Sequence, residues 1–153
     1  MDFMMNPIGR VSGGRREAID DDWGANRAVI ELDADRFDDT ALAGLDAFSH
    51  AEIVFVFDQV KDDEIVSGAR HPRGRTDWPK IGIFAQRGKN RPNRIGLTTC
   101  RVVSVNGRRL EVEGLDAIDG TPVLDIKPHM AGFGPRGAVS EPEWAAEIMA
   151  SYW

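Results

Sequence analysis

No two residues constrain this chain's fold more than Asn106-Gly107. They join Thr98–Val105 to Arg108–Glu113, and Asn-Gly supplies the positive φ angles that a two-residue hairpin turn needs. On the return run Leu110 and Val112 point one way, and Arg109, Glu111 and Glu113 the other. The chain is therefore expected to hold antiparallel sheet with one buried face. Further short strand candidates surround the hairpin: Ile8–Val11, Ala28–Leu32, Ala51–Phe57, Ile81–Ala85 and Val123–Ile126. The continuous β-branched and aromatic run Ala51–Phe57 suggests a strand covered on both faces. Val123–Ile126 is bounded by Gly120-Thr121-Pro122 and stopped by Pro128.

Helix signals are few. Asp38–Phe48 can hold a short helix carrying Leu42 and Leu45. Ser140-Glu-Pro-Glu143 has capping-box spacing with proline in the first turn. Trp144, Ile148 and Tyr152 then recur every four residues, a stripe suited to packing on the chain's own sheet or on a second subunit. Gly132-Phe-Gly-Pro-Arg-Gly137 reads as a turn-rich loop. Many short strands, glycine turns and one late helix predict a mainly β fold, a small β-barrel or strongly curved sheet with short helices and a C-terminal helix.

The 153 residues suit one domain, and a 42% hydrophobic, 29% charged composition is that of a soluble globular protein. Apolar runs such as Ile53–Phe57 are far too short to span a membrane. Met1–Met5 lacks the pattern of a signal peptide, so the cytosol is the expected compartment. The single cysteine, Cys100, rules out an internal disulfide and argues against a thiolate zinc site. His50, His71 and His129 show no metal-ligand spacing, so no metal is expected. There is no P-loop and no G-x-G-x-x-G after a strand.

The net charge of −6 conceals a sharp division. Residues 70–109 hold 11 Lys or Arg against one acid, Asp77, a local +10; the remaining 8 cations and 24 acids leave −16. Mutual neutralisation on the folded surface explains part of this, and a local field able to bind phosphate explains the rest. Ile81–Leu97 is the densest part, with Arg87, Lys89, Arg91 and Arg94 and no acid. Unpaired cations are too costly for a core, so this loop suits an anionic or strongly polar ligand. A second polar segment, Asp116–His129, places Asp125 and Lys127 on one face of a strand. That pair is either a surface ion pair or a polar pair facing a ligand cleft.

Phe84-Ala-Gln-Arg-Gly-Lys-Asn-Arg-Pro-Asn-Arg-Ile-Gly-Leu-Thr98 resembles the TrmO family pattern F-A-T-R-S-x-x-R-P-N-P-I-G-L-S. Asp119-Gly-Thr-Pro-Val-Leu-Asp-Ile-Lys-Pro-His129 resembles the family's D-G-T-P-V-x-D-I-K-P-Y. Pro7–Val11 and Gly44–His50 match two further family blocks in the same order. The resemblance implies a single-sheet barrel over residues 1–137, with 138–153 as a helix packed on the barrel or on a dimer partner. It implies S-adenosylmethionine as methyl donor, a homodimer, and tRNA as partner, with N-methylation of threonylcarbamoyl-adenosine beside the anticodon. Donor contacts would come from Phe84, Gln86, Arg87, Arg91, Asn93, Leu97, Gly120, Thr121 and Lys127. Asp125 or His129 would accept the proton lost from the attacking nitrogen.

The chain departs from the pattern at Gln86, Gly88, Arg94 and His129, where the family carries threonine, serine, proline and tyrosine. These positions flank the implied site and leave the acceptor open. Two other readings stand beside the first: the same donor with another RNA or small-molecule acceptor, and a non-catalytic dimeric barrel that binds adenosylmethionine or RNA.

Overall fold

The computed structural model describes residues 1–153. Six strands close into an antiparallel barrel: β1 (Gly9–Ser12), β2 (Arg27–Leu32), β3 (His50–Val56), β6 (Ile95–Asn106), β7 (Arg109–Glu113) and β8 (Pro122–Pro128), neighbouring in the order β1-β2-β7-β6-β3-β8. The minor strands β4 (Ala69–Arg70) and β5 (Ile81–Gly82) pair with each other outside it. One α-helix, α1 (Glu143–Met149), follows. The mainly β barrel expected from the sequence is borne out.

Closure buries one side of every strand. Ala51, Ile53 and Phe55 of β3 meet Ile30 of β2, Leu110 and Val112 of β7, and Val123 of β8 in one core. β3 is thus not fully covered on both faces: Glu52, Val54 and Val56 alternate outward and stay half-buried. Gly96 faces inward opposite Phe55, and a Cβ there would meet that ring at 2.4 Å. Glycine here lets β6 approach a large aromatic ring.

Several local expectations need correction. The hairpin loop is Gly107-Arg108, because Asn106 pairs with Arg109 and only Gly107 takes positive φ, 57°. A two-residue loop with glycine first is the type II′ arrangement, so Asn106 remains in its strand. Ile81–Ala85 is not one strand. It turns into a 3-10 segment at Ile83–Ala85, closed by the Gln86 N–H donating to the Ile83 carbonyl. Asp38–Phe48 forms turns and a 3-10 segment at Leu45–Ala47, though Leu42 and Leu45 are both buried. The Ser140 capping box is not made: α1 starts after Pro142 with no side-chain cap.

The register gives the barrel two unequal ends. The hairpin end carries the loop at Gly107-Arg108 and the 33–49 connection. The other end carries the connections 13–26, 57–94 and 114–121. The chain returns to this loop-rich end after α1. Asp22 N–H donates to the Ser151 carbonyl (3.0 Å) and Trp23 N–H to the Tyr152 carbonyl (2.8 Å).

Candidate functional site

The structure sorts the cations of the basic block into two classes. Arg73, Arg75, Arg94, Arg101, Arg108 and Arg109 pair with Asp21, Asp77, Asp62, Glu113, Asp39 and Glu31. Arg70, Lys80, Arg87, Lys89 and Arg91 have no carboxylate partner within ion-pair distance. Neutralisation therefore accounts for about half of the block. Four of the five free cations sit in or against the 86–91 turn.

This turn is built from its own polar groups. Arg91 Nη1 donates to the Gln86 carbonyl at 3.0 Å, and Arg87 Nη2 donates to the Leu97 carbonyl. Arg70, which the sequence does not mark, donates from Nη1 to Asn90 Oδ1 (3.2 Å) and from Nε to Gln86 Oε1 (3.4 Å). Gly88 lies so close that a Cβ would stand 2.6 Å from Arg70 Nη2. The Gln86 side chain is buried and aimed inward, where Nε2 donates to the Ile81 carbonyl at 3.0 Å. Charge is thus held in place by neutral acceptors, which fix the guanidinium groups without cancelling them.

The turn leads into β6, whose outer face continues onto β3 and β8. Leu97 registers with Val54, and Val54 with Asp125. Leu97 and Asp125 are thus two strand spacings apart, about 10 Å. Leu97 is 46% exposed, and Phe84, on the preceding 3-10 segment, is 76% exposed. One row further along, Thr99, Glu52 and Lys127 line up. Lys127 Nζ lies 2.7 Å from Asp125 Oδ2, and the hydrogen bond and charge of Asp125 raise the lysine's pKa. The cationic turn and the Asp125–Lys127 strand therefore meet on one face.

Other residues fall elsewhere. His129 Nδ1 lies 2.9 Å from Glu52 Oε1, a partner the sequence does not mark. Four residues of strand separate His129 from Asp125, about 13 Å, so the two cannot serve the same atom. Gly120 and Thr121 form the turn into β8 and bond to β1 instead: Gly120 N–H donates to the Val11 carbonyl (2.8 Å), and Thr121 is buried. Asn93 is exposed and makes no side-chain hydrogen bond.

Behind the face, Thr98 Oγ1 and the Tyr152 hydroxyl both donate to the Asp116 carboxylate. Burial, and then the Asp116 charge, push the Tyr152 phenol far above its ordinary pKa. Burial pushes the nearby Cys100 thiol up to about 12. Shallow grooves of about 340 and 690 Å³ lie at the hairpin end, lined by Arg108 and Arg10 respectively.

The description "tRNA-methyltransferase O N-terminal domain" belongs to the family model that matches residues 21–134. The human tRNA (adenine(37)-N6)-methyltransferase is 41% identical over 102 residues, 67% of this chain and 23% of that protein. A putative S-adenosylmethionine-dependent methyltransferase of Pseudomonas aeruginosa is 40% identical over 107 residues, 69% of this chain and 46% of that one. The crystal structure of TrmO from Pseudomonas aeruginosa superposes with a TM-score of 0.74 at 30% identity, covering 92% of this chain and 61% of that chain. The chain spans about a quarter to a half of the length of these curated relatives. Sequence blocks, barrel and domain match agree: the chain belongs to the tRNA-methyltransferase O N-terminal domain family.

Proposed function

We propose that this protein is an S-adenosylmethionine-dependent tRNA methyltransferase that methylates N6 of threonylcarbamoyl-adenosine beside the anticodon. The observation that carries the reading is the unneutralised turn Arg87–Arg91 set on the same face as Asp125. The donor has a carboxylate, a purine and a cationic sulfonium. The face offers a counterpart to each: free guanidinium groups, the bare apolar side chains of Phe84 and Leu97, and the Asp125 carboxylate. The residues therefore fit the group. Arg87, Arg91, Lys127 and the backbone around Leu97 would hold it, with Phe84 against its ring. When bound, S-adenosylmethionine supplies an electrophilic methyl group.

The chain's own work is to align the acceptor and take its proton. Alignment is the larger contribution for a transfer of this kind. Asp125 is nearer the turn than His129 and is the better proton acceptor, held in place by Lys127 and by the Ile126 N–H, which donates at 3.0 Å. His129 and Glu52 lie further along the face and suit contact with the RNA. The exposed Phe84 and Leu97 support a homodimer in which a second copy covers the site. The tail 138–153, whose Ser151 and Tyr152 carbonyls accept from Asp22 and Trp23, completes one functional unit with barrel 1–137, working in the cytoplasm where its tRNA substrate resides.

Calorimetric titration with S-adenosylmethionine tests the donor, and labelled methyl transfer to tRNA from cells lacking this protein tests the acceptor. Saturable binding and incorporation at threonylcarbamoyl-adenosine are expected. Absence of donor binding would overturn the enzymatic reading, and incorporation elsewhere would redirect it to another acceptor. Asp125→Asn should lower transfer by about 10²-fold or more, with a smaller, severalfold weakening of donor binding from loss of the sulfonium's counter-charge.

A further inference from the structure

The chain's last residues lie outside the matched segment 21–134, yet they touch all three connections at the loop-rich end. Ser151 and Tyr152 accept backbone hydrogen bonds from Asp22 and Trp23 in the 13–26 connection. Gly24 leaves room for them: a Cβ there would meet the Trp153 backbone carbonyl carbon at 2.7 Å. In the 57–94 connection the buried Trp78 donates from Nε1 to Glu147 Oε2 at 2.6 Å. In the 114–121 connection Asp116 takes the Tyr152 hydroxyl on one carboxylate oxygen and Thr98 Oγ1 on the other. Thr98 follows Leu97, whose carbonyl holds the Arg87 guanidinium. An unbroken path thus runs from Tyr152 through Asp116 and Thr98 to Arg87.

We propose that Tyr152 is a positioning residue for the cationic turn: its hydroxyl fixes Asp116, which fixes the start of β6 and so the carbonyl that aims Arg87. Asp116 is partly buried, and half of its hydrogen bonding to protein comes from this one hydroxyl. Removing the hydroxyl leaves one carboxylate oxygen short of a donor and frees the carboxylate to turn. The rest of the tail keeps its backbone bonds, so the barrel itself is untouched. The effect belongs to the orientation of the turn. This inference rests on the donor site proposed above for its affinity readout, but not for its structural one.

The test is Tyr152→Phe, with Thr98→Val and the double variant. Amide hydrogen exchange of donor-free protein is read at residues 86–98, with β2 and β7 as internal controls. The expected result is faster exchange over 86–98 with the controls unchanged. Equal exchange over 86–98 in wild type and Tyr152→Phe would overturn the proposal, as would uniform acceleration across the barrel, which marks a merely structural role. Donor titration is the second readout. A severalfold rise in Kd in each single variant, with no further rise in the double, supports one shared path; additive effects would sink it. Failure of wild type to bind the donor counts against the proposed function alone, because the exchange experiment still decides the role of Tyr152.

Discussion

Arg94 shows how much one side chain can say about a turn. It adopts φ 52°, donates to Asp62, and keeps a buried Nε without a partner. The family pattern has proline here, and proline is locked near −65°. The turn of this chain is therefore closed to the residue its relatives' pattern carries. Arg94→Pro should lower stability by about 3 kcal/mol or more, measured by urea unfolding. Glu113 is a different case. Arg27, then Arg101, hold its carboxyl below the usual range. Its contribution to stability is full above the ordinary glutamate pKa and is lost as pH falls through the lowered one. Glu113→Gln should therefore lower the neutral plateau of a stability–pH curve, leave its most acidic end unchanged, and so flatten the acid limb, as urea unfolding over a pH series would show.

At the level of elements, β6 does most of the positioning: its first residues hold Arg87, its inner side meets Phe55, and its outer side carries Leu97. Gly96→Ala should cost about 1–3 kcal/mol by overpacking the Phe55 ring, seen as a lowered urea midpoint. The strands were legible in the sequence because alternation and β-branching report burial directly, as at Leu110 and Val112. The hairpin was legible but its register was not: Asn-Gly fits either loop frame, and pairing of Asn106 with Arg109 decided it. The 3-10 segment at Ile83–Ala85 looked like a strand because its apolar run has no period of its own. Within the candidate site, the placement of Arg87, Arg91, Leu97 and Asp125 on one face was legible from motif and charge. Arg70 and Glu52 were not, since each acquires its meaning from a partner 16 or 77 residues away. Gln86 was legible as a polar residue of the turn, but not that its amide donates to the Ile81 carbonyl, which depends on how the chain folds back on itself.

For the molecule as a whole, charge is sorted by partner. Cations that face acids across strands or loops are largely spent on the fold, whereas Lys89 and Arg70 remain available to an external anion. If the RNA lies on this face, its affinity should fall steeply with salt. Lys89→Ala should shallow the log–log salt slope by about one, while Arg108→Ala, whose charge is paired with Asp39, should leave it unchanged. Filter binding over a salt series measures both. The same economy applies to the only thiol. Cys100 is 2% exposed and its ionisation is suppressed, with a pKa of about 12, so Ellman's reagent should leave the native protein unmodified at pH 8 and react once urea unfolds it. That inertness makes the wild-type chain a ready background for spectroscopic reporters. A fluorophore attached through Ser104→Cys, near the hairpin end, would be the sole label on the molecule and would report tumbling and association without disturbing the face where the cations gather.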